Sequence, residues 1–340
     1  MKAISKVAFV AASLFVANIV FAQAQPATPA INMLIGNVTA NDTQAAANDK
    51  FAELVTTYSN GRIKASARHG GALGNTSQMF GAMQAGSLHG MITPARVAAG
   101  VVPELSLFFM PFLFPSEPAK ITAIAAQSRA AAKMIELADQ KGIHIIGFHG
   151  IGATNIFTKF PVNKVADFQG KKFWVIPGAP GMLGAYQDWG AVGRSMELPE
   201  LYTALQQGNV DGMANPADVT YRMKMHEVAR YLIIADPFVL VSGVHVSKKW
   251  LDGLPKDLQD AVTKAGKDTI AFADDAYTKS QAASLEALRK AITVTDMPPA
   301  ELQKMKDLVY KGIWERIKND PKQGPMLKLL EEDVARFNKK

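Results

Sequence analysis

The chain has 340 residues, 48% hydrophobic and 20% charged: enough for two domains with cores of their own, and too apolar for a disordered or fibrous protein. It contains no cysteine, which excludes disulfides, thiolate nucleophiles and thiolate metal sites. Its net charge of +7 is spread over scattered lysines and arginines with no basic run interleaved with aromatics, so no nucleic-acid partner is expected.

Met1–Ala22 reads as an export signal: Lys2 and Lys6, the apolar run Val7–Phe21, then small-x-small cleavage sites at Ala22 and Ala24. The run is short for a membrane span, and no cysteine stands near the cut to carry a lipid. The mature chain is therefore expected to be exported and soluble, with no direct membrane insertion. Residues 23–30 are a Pro/Ala/Gln linker.

Ile31–Gly36 is a strand, Asp49–Thr57 the end of a helix with Phe51, Leu54 and Val55 inward, and Arg62–Ala67 a second strand. Strand–helix–strand predicts a parallel sheet. Gly70–Thr76 is a glycine-rich loop and Gln78–Gln84 a helix. Phe108, Phe109, Phe112 and Phe114 read as core. Ala119–Gln140 is helical, Ile143–Phe148 a buried strand and His149–Asn155 a loop leaving it. Asp167 caps a short turn before the strand Lys172–Ile176, and a helix runs from Gly181 to Trp189.

The stretch Leu201–Pro216 is a helix with Leu201, Ala204 and Leu205 on one stripe, a cap glycine at Gly208, a short buried strand and an Asn215-Pro216 turn. The same unit occurs earlier: Ala82–Pro94 reads AMQAGSLHGMITP and Ala204–Pro216 reads ALQQGNVDGMANP. Two similarly built α/β lobes follow, each ending a strand at a proline-marked turn, where open α/β sheets hold ligands. Downstream, Asp218–Ala229 is helical, and Tyr231–Asp236 and Val239–Ser247 are strands. Pro255–Ala291 is one long helix spanning both lobes. Pro299–Tyr310 and Met326–Phe337 close the chain.

Catalytic and metal patterns fail on inspection. His226–Arg230 has arginine where a second zinc-binding histidine would stand, and no other histidines share metal spacing. Gly150-Ile151-Gly152 lacks the third glycine of a dinucleotide loop, since position 155 is Asn. Glu200, Asp188, Asp211 and Asp218 form no acid–base pair. No cofactor, metal or enzyme activity is expected.

The run Leu198–Pro216, then His226-Glu227-Val228, Val246–Trp250 and Leu254–Gln259 resembles the solute-binding subunits of tripartite ATP-independent periplasmic (TRAP) transporters, of the dicarboxylate-binding type. Lys50–Val55, Ser59–Ile63, Leu73-Gly74, Val102–Leu105 and Met110–Phe114 resemble the family in the right order, over nearly all of the mature chain. The resemblance implies a two-lobed α/β periplasmic-binding fold with crossing strands and a long inter-lobe helix. It implies a periplasmic protein that closes on a small organic solute and delivers it to TRAP permease subunits driven by an ion gradient. Lobe I is expected at 31–152 plus 240–280, and lobe II at 153–239 plus 281–340.

The site departs from the family pattern. Trp174 stands where the family's carboxylate-binding arginine is usual, and Thr154 lies in the segment that often carries a second. A carboxylate buried against an indole has no positive partner, and an aromatic wall favours an apolar, neutral or cationic group. A small amine, amino alcohol or neutral solute is therefore expected. The alternatives are that Trp174 is plain core packing, that a monocarboxylate or other organic acid is held by another cation such as Arg96, or that the chain is a sensor subunit presenting its ligand to a membrane receptor. Asn215 closes the second turn, and Asn37, Asn41, Thr76, Pro94, Leu198 and Asp218 are the further expected contacts, with helix capping an alternative role for Asp218.

Overall fold

The computed structural model describes residues 30–338; the expected signal Met1–Ala22 and nearly all of the linker lie outside the described residues. The chain opens with β1 (Ile31–Gly36), α1 (Thr43–Tyr58) and β2 (Ile63–Arg68), and β1 pairs parallel to β2 as expected. Asp42 caps α1, its carboxylate accepting the Ala45 N–H at 2.8 Å. Then come α2 (Thr76–Ala85), β3 (Gly90–Pro94) and two 3-10 turns, Ala95–Gly100 and Pro103–Phe109. Phe108, Phe109 and Phe114 are buried, and Phe112 packs beside them.

The expected helix Ala119–Gln140 is two, α3 (Pro118–Gln127) and α4 (Arg129–Gln140). Ser128 between them is extended, and its hydroxyl accepts the Ala131 N–H, so it ends one helix and starts the next.

β4 runs from Ile143 to Thr158, so His149–Asn155 is strand and not loop. Its glycines serve close approach. A Cβ at Gly150 would sit 2.4 Å from the Pro118 carbonyl oxygen of α3, and one at Gly147 2.8 Å from Ile270. Register shifts after Ile145, Gly150 and Thr154 bend the strand along its length.

The second half holds β5 (Lys172–Val175), α5 (Pro180–Asp188), β6 (Val192–Ser195), α6 (Leu201–Gln207), β7 (Gly212–Asn215) and α7 (Ala217–Arg222). The helix expected to reach Ala229 stops at Arg222, because Lys224 adopts a left-handed φ of 57°. The two strands expected between Tyr231 and Ser247 are one, β8 (Tyr231–Ser247), carried past Pro237 by a left-handed Asp236 at φ 46°. Then follow α8 (Lys248–Asp252), α9 (Lys256–Ala291), β9 (Thr293–Asp296), α10 (Pro299–Val309), α11 (Glu315–Lys318) and α12 (Gly324–Asn338).

The strands form one sheet in the order β2-β1-β3-β8-β4-β7-β5-β6, with β9 on β8. β4 and β8 are antiparallel and cross from one lobe to the other. β3 joins the Ser242–Val246 end of β8, bringing β1 and β2. β7 joins the Asn155–Thr158 end of β4, bringing β5 and β6. α9 lies along the assembly, packed on α1, β4 and α7.

The two repeat units have the same backbone. Gly86 and Gly208 are left-handed caps at φ 86° and 76°. The N–H groups of Ser87 and Leu88 both donate to the Ala82 carbonyl, as those of Asn209 and Val210 do to Ala204. Each strand then opens on a glycine that admits an aromatic ring. A Cβ at Gly90 would lie 3.4 Å from Phe51, and one at Gly212 2.6 Å from Phe173.

Candidate functional site

The tips of β3 and β7 meet over an inner cavity of about 100 Å³. Thr76, Pro94 and Arg96 line it from one side; Trp174, Leu198, Asn215 and Asp218 line it from the other. It leads to an outer chamber of about 780 Å³ that shares Thr39, Asp42, Thr76, Glu197 and Leu198 with it.

Trp174 is 2% exposed, and its indole N–H donates to the Met196 carbonyl at 2.8 Å. It therefore offers the cavity an aromatic surface, with its one donor already spent. Arg96 follows β3 on the 3-10 turn and is 9% exposed. Its guanidinium carbon lies 5.2 Å from the Phe109 ring centroid, and Nε and Nη1 are buried without hydrogen-bond partners. Burial pushes the group down to about 9, opposed by the charge of Glu197, so it stays a cation at neutral pH. Among the described residues lining the cavity it is the single cation, facing the acids Asp42, Glu197 and Asp218.

Asp218 is committed on both oxygens. Oδ1 lies 2.5 Å from the Arg222 Nε, and Oδ2 accepts from the Thr43 hydroxyl at 3.0 Å. Its expected alternative as a helix cap does not apply, since it lies inside α7. Burial raises Asp42 above the ordinary carboxylate range, although the Ala45 N–H and Thr39 stabilise its anion.

Two expected contacts lie behind the wall. The Asn37 side chain accepts Gln44 Nε2 at 2.6 Å and donates to the Thr39 carbonyl at 3.0 Å. It thus positions two residues that do line the cavity. Thr154 Oγ1 donates to the Phe238 carbonyl at 3.1 Å; because β4 continues through it, its side chain is held in the sheet. Asn41 stands at the outer chamber in a left-handed turn, φ 59°, its carbonyl accepting Arg222 Nη1 at 3.1 Å.

Sequence reasoning missed Asp42, Glu197 and Tyr277 as cavity residues. It also missed Thr93, Val97 and Val219, for which the repeat held a usable signal: it extends three residues past its prolines, and Thr93-Pro94-Ala95-Arg96-Val97 matches Asn215-Pro216-Ala217-Asp218-Val219. Tyr277 lies on the buried stripe of α9, one turn after Ala273, and reads as core until the fold brings the cavity over it.

The family model described as bacterial extracellular solute-binding protein, family 7 (DctP), matches residues 35–319. The C4-dicarboxylate-binding periplasmic protein DctP of Rhodobacter capsulatus is 28% identical over 248 residues, 72% of this chain and 73% of its own. The ectoine/5-hydroxyectoine-binding periplasmic protein UehA of Ruegeria pomeroyi is 26% identical over 252 residues, again 72% and 73%. Among solved structures, a TRAP periplasmic solute-binding protein from Desulfovibrio salexigens with bound orotic acid superposes with a TM-score of 0.83 at 27% identity. That match covers 90% of this chain and 99% of the other. The two-lobed α/β fold is thus shared with the solved protein, and the chain belongs to family 7 of the bacterial extracellular solute-binding proteins, the solute-binding subunits of TRAP-type transporters.

Proposed function

We propose that this protein captures a small organic anion in the periplasm and delivers it to a TRAP permease, acting as a binding protein rather than an enzyme. Arg96 is the anchor. A buried guanidinium with two unpartnered donors costs free energy that a ligand carboxylate relieves, through charge-assisted hydrogen bonds of about 1.5–3 kcal/mol each. The aromatic surface of Trp174 lies against the body of the solute, and Asn215 and Thr76 supply polar contacts at the two tips. The lobes are residues 31–152 plus 240–280 and 153–239 plus 281–340, meeting where β4 and β8 cross. Among the described residues no helix is long and apolar enough to cross a membrane, in keeping with delivery by a protein outside the permease.

The simple amine suggested by Trp174 alone is the weaker candidate. It would leave Arg96 without a counter-ion and would add a second cation beside it. The relatives named above bind a C4-dicarboxylate and ectoine or 5-hydroxyectoine, and the solved one holds orotic acid. Titration calorimetry of the mature chain against monocarboxylates, dicarboxylates and amines tests the reading. Organic acids are expected to bind, and Arg96→Met to weaken them by about 100-fold or more with the fold intact. Tight binding of plain amines, or acid binding indifferent to Arg96→Met, would refute it.

A further inference from the structure

The matched tips Thr93–Val97 and Asn215–Val219 differ by one reversal of charge. In each, the first, second, fourth and fifth residues line the inner cavity while the alanine between is buried. The fourth is Arg96 on one side and Asp218 on the other. The acidic side is reinforced. Asp42 lines the same cavity within Coulombic reach of Asp218, and the hydroxyl of Tyr277, which also lines it, feels both carboxylates. Arg222, ion-paired with Asp218 and within Coulombic reach of Asp42, sets one positive charge against these two negative ones. Burial raises Asp42 above its ordinary range, and the neighbouring charge of Asp218 adds to that rise against the opposing pull of Arg222. Arg96 at the opposite pole keeps two donors free. A dianion entering here would meet one cation and the acids Asp42, Asp218 and Glu197.

We infer that the solute is dipolar: a carboxylate on Arg96, a cationic nitrogen at Asp42 and Tyr277, and a small apolar body against Trp174, Ile151 and Leu240. Dicarboxylates are excluded by the acidic end. The inference rests on the Arg96 reading above and adds the second pole to it.

Matched pairs of acids that differ by a nitrogen for a carbon isolate this pole. Glycine betaine with 3,3-dimethylbutanoate, and 4-aminobutanoate with pentanoate, are titrated by calorimetry into the mature chain and into Asp42→Asn. Asparagine caps a helix as well as aspartate does, so α1 is preserved. The nitrogen member of at least one pair is expected to bind about tenfold tighter or better. In Asp42→Asn that preference is expected to shrink to about threefold or less, through loss by the nitrogen member alone, and succinate is expected to bind more weakly than either member. Equal binding of both members in every pair, or an unchanged preference in Asp42→Asn, overturns the dipolar site. If those acids still depend on Arg96, the organic-anion reading survives. Absence of binding by every acid in the set overturns both.

Discussion

Arg96 and Trp174 face one cavity from its two sides, the first a buried cation and the second an aromatic wall. The indole brings no charge to the cavity, and its N–H is tied to the Met196 carbonyl. The positive charge instead enters from the other tip, on the turn after Pro94. A second residue-scale consequence concerns His149 and His245, both fully buried. Burial pushes each ring down to about 4 from an ordinary 6.5. Between those values the unfolded chain takes up protons that the folded chain refuses, so stability is present above pH 6.5 and lost as pH falls through the window. His149→Phe keeps the ring stacked on Tyr277, 5.6 Å between centroids, and removes one titration. Its melting temperature is expected to fall less than the parent's between pH 6.5 and 4.5; parallel curves would show that His149 does not carry the effect. The charges themselves were visible in the chain. What the sequence could not show was which were spent, because Asp218 and Arg222 pair only once α7 forms, and Asn37 turns inward only through Gln44.

Elements were legible where a single physical signal dominates. The cap glycines are the plainest case: Gly208 takes the left-handed conformation that its position after a helical stripe predicts. Gly208→Ala is expected to lower stability by about 1 kcal/mol, measured by denaturant unfolding, because an L side chain is strained there. Where the same residue type serves a different need, the reading fails. Gly150 and Gly152 look like a loop, yet they lie within a 16-residue strand whose neighbours press against it. Gly150→Ala would drive a Cβ into the backbone of α3, which cannot yield as a side-chain tip can. It is expected to cost more than Gly208→Ala, and an equal or smaller loss would contradict the packing described. Pro237 misleads in the same way: proline suggests a break, but β8 absorbs it at a left-handed Asp236.

Across the whole molecule, the lobes touch through a small polar latch at the outer chamber. The Thr43 hydroxyl reaches Asp218, and Arg222 reaches both Asp218 and the Asn41 carbonyl. Arg222 is half exposed, so its contribution is modest, about 1 kcal/mol. Arg222→Ala is expected to speed ligand release severalfold and to expand the ligand-free protein in small-angle scattering; unchanged release with unchanged dimensions would show the latch to be inert. The two-lobed plan was readable from the repeated unit and the long helix, whereas the latch was not, since its partners lie 175 and more residues apart. That separation recurs at larger scale. β3 waits for β8, with Gly90 opposite Val246, and Asp333 of α12 is tied back to Ser128, Arg129 and Ala130. The first half of the chain therefore has no finished sheet of its own, and the last helix seals what the first residues begin. Such a polypeptide cannot mature piecemeal during synthesis. Its sheet and its last contacts close only when nearly the full length is available, which would suit the export expected from its N-terminal segment.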